Sequence, residues 1–121
     1  MIRGIGLDLC GIGRIAGAIE KERFLRRVYT ERERSRILAA SGTRRGELAA
    51  GLFAAKEAVA KALGTGFNGF GPADIEITPD PGGCPTCTLY HRAAELLGDG
   101  RVWVSITHDS GMAAATAIWE D

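Results

Sequence analysis

Residues 45–72 read RGELAAGLFAAKEAVAKALGTGFNGFGP. From Arg45 to Leu63 the stretch is dominated by Ala, Leu, Glu and Lys, which lose little conformational freedom in a helix. Gly64 stands where a long helix needs a residue tolerant of left-handed backbone. The segment predicts one long helix running into a glycine-rich loop over 65–72. Phe53, Glu57 and Lys61 recur four residues apart, so they share one helical face.

On the N-terminal side, Ile5, Leu7 and Leu9 alternate within residues 2–10, the period of a strand. That strand turns Asp8 to the face opposite those three. A helix is expected from Gly13 to Arg27, interrupted or bent near Glu22. Thr30 followed by Glu33 is a capping box, which predicts a helix ending before Gly42. On the C-terminal side, Asp74 to Thr78 alternates as a strand. Asp80-Pro81-Gly82-Gly83 is a turn, and Thr86 to Tyr90 its hairpin partner. A short helix is expected over 91–97. Strands over 102–108 and 112–119 follow, joined by Asp109-Ser110-Gly111. This order predicts a single α+β domain over residues 1–121, a mainly antiparallel sheet with packed helices.

Composition narrows the class. With 121 residues and 45% apolar content, the chain has room for one core and is not a disordered segment. Its longest uncharged, mostly apolar run is Gly111 to Trp119, far short of the roughly 18 residues of a membrane span. The N-terminus lacks the layout of a secretory leader. Three cysteines give no disulfide framework, so a cytoplasmic protein is expected. Net charge is zero, but from Arg14 to Arg45 ten Lys/Arg face four Glu, a local excess of +6 against −6 elsewhere. Such asymmetry fits either an acidic partner or a set of solvated helices. Zero net charge and no aromatic stacking motif count against nucleic acid.

Several constellations bear on chemistry. Glu57 and Lys61, one turn apart, form either a surface ion pair or a carboxylate for a metal beside a lysine for a phosphate. Asp8 is unusual inside an apolar strand; it marks either an exposed position or a carboxylate beside a cation. Two carboxylates completed by phosphate oxygens and water suit Mg²⁺. His108, at a strand end, either satisfies a neighbour or donates to a phosphate or ribose. His91 reads as a surface residue. Gly11-Ile12-Gly13-Arg14-Ile15-Ala16 matches a dinucleotide fingerprint but lacks the βαβ unit that gives it meaning. Cys84-Pro85-Thr86-Cys87 is a C-x-x-C pair entering a strand, without the further ligands of a zinc site.

Together these residues resemble the holo-acyl-carrier-protein synthases, the small trimeric 4′-phosphopantetheinyl transferases, and the resemblance spans the whole chain. Gly4-Ile5-Gly6-Leu7-Asp8 with Ile12, Arg14 and Ile15 is similar to the family's first motif. Tyr29-Thr30-x-x-Glu33 is similar to its capped helix. Phe53-Ala54-Ala55-Lys56-Glu57-Ala58-x-x-Lys61-Ala62-x-Gly64-Thr65-Gly66 is similar to its signature helix and loop. Asp74-Ile75-Glu76-Ile77, Gly83-x-Pro85 and Val104-Ser105-Ile106-Thr107-His108 follow in the family's order.

The resemblance implies transfer of the 4′-phosphopantetheine arm of coenzyme A to a serine of an acidic acyl carrier protein. Asp8 and Glu57 would hold Mg²⁺, and Lys61 would touch the diphosphate. Gly64, Thr65, Gly66, Pro85 and His108 would line the nucleotide site. The carrier would dock on Arg14, with Phe24, Arg26 and Arg27 as further contacts. The resemblance also implies a homotrimer with active sites between subunits. Leu52 departs from it, standing where many relatives carry Arg. A non-catalytic module of the same fold would lack Asp8, Glu57 or Lys61, and all three are present.

Overall fold

The computed structural model describes residues 1–121. In chain order they form β1 (Ile2–Gly11), α1 (Ile12–Ala18), α2 (Glu22–Val28), α3 (Glu31–Ala39), α4 (Thr43–Ala62), β2 (Ile75–Pro79), β3 (Pro85–Leu89), α5 (His91–Leu97), β4 (Arg101–Asp109) and β5 (Met112–Glu120). A single 3₁₀ turn, Pro72–Asp74, precedes β2. The fold is α+β, with all strand pairs antiparallel.

The main sheet has the order β1-β5-β4, and α4 lies across its inner face. Packing there is set by two glycines. A Cβ on Gly4 would fall 1.8 Å from the Ala62 carbonyl oxygen, and one on Gly6 1.8 Å from that of Ala58. Helix and strand therefore meet backbone to backbone, and only alanine fits the facing helix surface: Ala50, Ala54, Ala58 and Ala62 are buried. The β1 alternation holds, and its small-residue face is the one covered. Gly6 and Cys10 are buried, while Ile5, Leu7 and Leu9 stay 66%, 66% and 62% exposed.

The interruption expected near Glu22 is present: the segment over 13–27 is two helices, because Lys21 is extended (φ −91°, ψ 118°). The break lets α1 press on α4, where a Cβ on Gly46 would meet the Ala16 Cβ at 3.0 Å, while α2 turns Leu25 and Val28 into the core. Asp74 lies outside its strand. Its carboxylate instead accepts the Gly71 amide at 3.0 Å and closes the 3₁₀ turn.

The Thr30 capping box forms as expected: Thr30 N donates to Glu33 Oε1 at 2.8 Å, and Glu33 N to Thr30 Oγ1 at 3.3 Å. Glu33 is also fully buried and does more. Its Oε1 lies 2.7 Å from Lys56 Nζ, and its Oε2 accepts the Ile77 amide at 2.8 Å. Lys56 in turn donates to the Pro72 carbonyl at 3.0 Å and to the Ile75 carbonyl. Thr30 Oγ1 donates to Glu76 Oε2 at 2.5 Å, and Tyr90 Oη to Glu76 Oε1 at 3.1 Å. One polar hub thus joins α3, α4, the 3₁₀ turn and the β2–β3 hairpin. Burial pulls the Lys56 pKa down, and the Glu33 carboxylate opposes that pull.

Breaking a buried pair leaves one charge uncompensated and costs about 3–5 kcal/mol. Lys56→Met and Glu33→Gln should each lower the urea midpoint by a matching amount. The double variant should be less destabilised than the two singles added, by about 2 kcal/mol; strict additivity would show that the two groups act independently.

Candidate active site

β1 is an edge strand, and Asp8 sits on its inner face between Gly6 and Cys10. The backbone contact at the glycines brings the last turns of α4 down beside it. Lys61 Nζ lies 3.2 Å from Asp8 Oδ1 and donates to the Leu7 carbonyl at 3.0 Å. The Asp8 side chain is 16% exposed and that of Lys61 53%, so the pair opens to solvent on one side. Glu57, one turn before Lys61, is partly buried. Burial and then the Asp8 charge raise its pKa, while Lys61 and Arg14 oppose the rise. Burial, followed by Asp8, likewise pushes up the Cys10 thiol. Asp8, read from one motif, and Glu57 and Lys61, read from another, thus meet at one place, with Arg14 in the same electrostatic field.

Arg14 also extends that place toward α2. Its guanidinium stands 5.8 Å over the Phe53 ring. Phe53 stacks on Phe24 at 6.2 Å, and the Arg27 guanidinium stands 6.0 Å over Phe24. Arg14, Phe24 and Arg27 therefore form one cationic, aromatic shelf beside Glu57. Arg26 does not join it. It pairs with Glu22 at 3.0 Å and lines a separate depression with Leu25, Arg34 and Leu38. The phase of α2 after the break at Lys21 separates them.

The glycine loop follows directly from α4. Gly64 and Gly66 are left-handed (φ 82° and 61°), which permits the tight reversal. Their amides donate back to the Lys61 and Ala60 carbonyls at 2.9 and 3.2 Å, closing the helix rather than facing outward. Thr65 is exposed, with its hydroxyl 2.9 Å from the Gly66 carbonyl.

Pro85 and His108 lie elsewhere. They line a cavity of about 290 Å³ with Arg36, Arg44, Glu47 and Leu52. His108 Nδ1 is 3.9 Å from Glu47 Oε2. The register Asp8↔Ala115↔Ile106 puts this cavity two strands from Asp8, about 10 Å away. Helix α4 stands between them, with Asp8 on one flank and His108 on the other. Leu52, 2% exposed, forms part of the cavity wall. Arg36 and Arg44 were legible only as members of the basic segment. The tertiary fold sets them in this cavity, where Arg36 Nη1 also donates to the Ile77 carbonyl at 3.1 Å.

A metal would find two carboxylates, Asp8 and Glu57. No three His, Cys, Asp or Glu side chains converge anywhere in the chain. Two hard oxygen donors in an open site suit Mg²⁺, which takes one or two protein carboxylates and completes its shell with phosphates and water.

Comparison with known proteins agrees along the whole chain. Residues 4–117 match the model of the 4′-phosphopantetheinyl transferase superfamily. The chain is 45% identical over 126 residues to a holo-[acyl-carrier-protein] synthase of Nitratidesulfovibrio vulgaris, covering 99% of both chains. It is also 45% identical over 122 residues to the protein of that name from Listeria monocytogenes, again covering 99% of each. Among solved structures, a Bacillus anthracis holo-(acyl-carrier-protein) synthase in complex with CoA (3′,5′-ADP) superposes with a TM-score of 0.87 at 35% identity, covering 100% of this chain and 98% of that one. The Helicobacter pylori enzyme in complex with coenzyme A gives 0.83 at 30% identity, covering 96% and 99%.

The cysteines stand apart from this site chemistry or are shut away within it. Cys10 is buried, with Sγ 3.4 Å from the Ala50 carbonyl. Burial pushes the Cys87 thiol up to about 12. Cys84 is exposed in the hairpin turn. A chromogenic disulfide reagent at neutral pH should therefore titrate one thiol rapidly in the native protein, and all three in denaturant. Loss of the rapid thiol in Cys84→Ser confirms its identity.

Proposed function

The chain belongs to the 4′-phosphopantetheinyl transferase superfamily, and we propose that it moves the 4′-phosphopantetheine arm of coenzyme A onto a serine of an apo acyl carrier protein, releasing adenosine 3′,5′-bisphosphate. The observation that carries this reading is the convergence of Asp8, Glu57 and Lys61 at the edge of the sheet. A carrier-binding module without activity would have no need of that arrangement.

Attack by a serine hydroxyl on the β-phosphorus spreads negative charge over the phosphoryl oxygens and onto the departing 5′-phosphate. Lys61, held by the Asp8 carboxylate and the Leu7 carbonyl, supplies a fixed cation for that charge. Asp8 and Glu57 are the residues to hold Mg²⁺, which when bound supplies Lewis-acid stabilisation of the same oxygens. Glu57, in the same site, would also take the serine proton. Gly64, Thr65 and Gly66 border the diphosphate end, and Pro85 and His108 the nucleotide end.

Those two ends lie on opposite flanks of α4 in one chain. A coenzyme A molecule reaching both kinds of residue therefore has to take Pro85 and His108 from a second copy. The outer sheet face supports such assembly. Ile5, Leu7 and Leu9 of β1 and Trp103 of β4, exposed at 66%, 66%, 62% and 52%, form a continuous apolar surface with Ile118 between them. An apolar sheet face of this kind marks an association site. We assign it to a homotrimer, each copy acting as one domain. No helix of the chain is long and apolar enough to cross a membrane, and three free cysteines fit the reducing cytoplasm.

The carrier would dock on the shelf of Arg14, Phe24 and Arg27, where cations border the Asp8–Glu57 site. Arg26, turned away and paired with Glu22, would contribute less.

Mass spectrometry of an apo carrier incubated with coenzyme A and Mg²⁺ tests the reaction directly; the carrier should gain one phosphopantetheine arm. Asp8→Ala or Glu57→Ala should cut turnover by roughly 10²-fold with an unchanged thermal midpoint. Near-normal activity in either variant would overturn the metal assignment. Arg27→Glu should raise the KM for the carrier while leaving that for coenzyme A in place, and added salt should bring the unaltered enzyme toward the variant. Arg26→Glu should do so more weakly. Leu7→Arg should dissociate the assembly by light scattering and abolish transfer together with it; a monomeric Leu7→Arg protein at full activity would refute a site shared between copies.

A further inference from the structure

His91 is exposed over 82% of its side chain, yet its place is costly. It opens α5 at φ 57°, one of two non-glycine residues with left-handed backbone. A residue with a Cβ is strained there. The other, Ser110, sits in the β4–β5 turn, where such backbone is expected. His91 has no comparable turn to serve. What it has is a partner: its Nδ1 lies 2.9 Å from Asp74 Oδ1.

Asp74 is already engaged on its other side. Its Oδ2 accepts the Gly71 amide at 3.0 Å, and its carbonyl accepts the Tyr90 amide at 2.8 Å. Burial pushes the Asp74 carboxyl up, but the Gly71 amide, His91 and the Lys56 charge together hold it below the ordinary carboxylate range. The Tyr90–His91 segment thus grips Asp74, and Asp74 grips the far end of loop 64–71. The near end is closed by the Gly64 and Gly66 amides on α4. Between the two ends, Phe67 packs edge-on to Phe70 at 5.8 Å, and Gly69 lies against Arg92, whose Cγ would be 3.4 Å from an added Cβ. The loop is therefore clamped at both ends, and His91 is the solvent-facing member of one clamp.

We propose that His91 is a positioning residue for the transfer reaction: through Asp74 it fixes the Gly71 end of loop 64–71 and so sets the affinity for coenzyme A. The proposal rests on the reading of Gly64–Gly66 as part of the coenzyme A site. Its physical content is pre-organisation. A loop fixed before the substrate arrives loses less freedom on binding, so releasing one end weakens binding without altering the reacting groups. His91 touches neither Asp8, Glu57 nor Lys61, and the carrier shelf lies on α1, α2 and α4.

Three substitutions separate the imidazole from the backbone. His91→Ala removes the hydrogen bond and keeps the strained backbone. His91→Gly removes the bond but relieves the strain. His91→Asn tolerates left-handed backbone and offers an amide donor near the Nδ1 position. His91→Ala and His91→Gly should raise the KM for coenzyme A about three- to tenfold, with kcat and the carrier KM within about twofold. His91→Asn should stay within about twofold of the unaltered enzyme in all three. Amide hydrogen exchange over residues 67–71 should quicken in the Ala and Gly variants and not in Asn. Unchanged coenzyme A KM and unchanged loop exchange in His91→Gly would overturn the proposal, as would an equal loss in kcat and carrier KM. If exchange quickens as expected but the unaltered protein transfers nothing to a carrier, the loop clamp stands and the assignment of the loop to coenzyme A fails.

Discussion

The fold turns on a contact between two backbones. At Gly4 and Gly6, β1 has no side chain to offer, and α4 settles onto it until the carbonyls of Ala58 and Ala62 occupy the space a Cβ would need. Everything at the active site follows from that closeness. A helix packs on a sheet at about 10 Å when ordinary side chains intervene. Here the smaller separation lets Lys61, two turns from Ala54, reach the carboxylate of a strand residue directly. It also explains why β1 spends its large apolar residues on the outer face. The inner face has no room for them, so Ile5, Leu7 and Leu9 are left exposed on the outer face.

Consecutive residues of α4 then serve different ends. Lys56 points into the protein and is 1% exposed against Glu33; Glu57, about 100° further round the helix, looks toward Asp8. The first locks the helix against α3, the 3₁₀ turn and β2, and thereby fixes the rotation of α4 about its axis. The second depends on that rotation. A buried ion pair is weak evidence for net stability, but the two side chains of this one also bind the carbonyls of Pro72 and Ile75 and the amides of Ile77 and Thr30. Its consequence is orientation: with Lys56 held, Glu57 and Lys61 can face only the edge-strand flank. The same hub holds Pro72, where the glycine loop ends, so loop and catalytic helix share one anchor.

On the proposed reading, the division of the site by α4 gives assembly a chemical reason. One flank carries carboxylates and a lysine; the other carries a cavity with His108, Pro85 and two arginines. Nothing within a single chain can swing them together, because α4 is fixed to the sheet by backbone contact and by the Lys56–Glu33 pair. The apolar outer sheet face is where the proposed homotrimer would bring the two halves of the site together.

The amino-acid sequence by itself indicated the elements, and its resemblance to a family nominated Asp8, Glu57 and Lys61 as the reacting groups. Alternation in β1, the Thr30–Glu33 box, the Ala-rich helix and the glycine after it are local signals, governed by backbone sterics within a few residues, and each appears where its pattern indicates. Asp8, Glu57 and Lys61 were legible because carboxylates and a lysine at those positions in a motif have a chemical meaning without coordinates. Their meeting was not. Only the tertiary structure decided that Arg14, Phe24 and Arg27 form one shelf while Arg26 leaves it, since a break at Lys21 resets the helical phase. Only the tertiary structure turned the capping glutamate into the partner of a buried lysine, set Arg36 and Arg44 beside His108, and bound His91 to the glycine loop through Asp74. The Lys61–Asp8, Lys56–Glu33 and His91–Asp74 pairings join residues 53, 23 and 17 positions apart, and contacts at that separation depend on how whole elements pack, which no local period records.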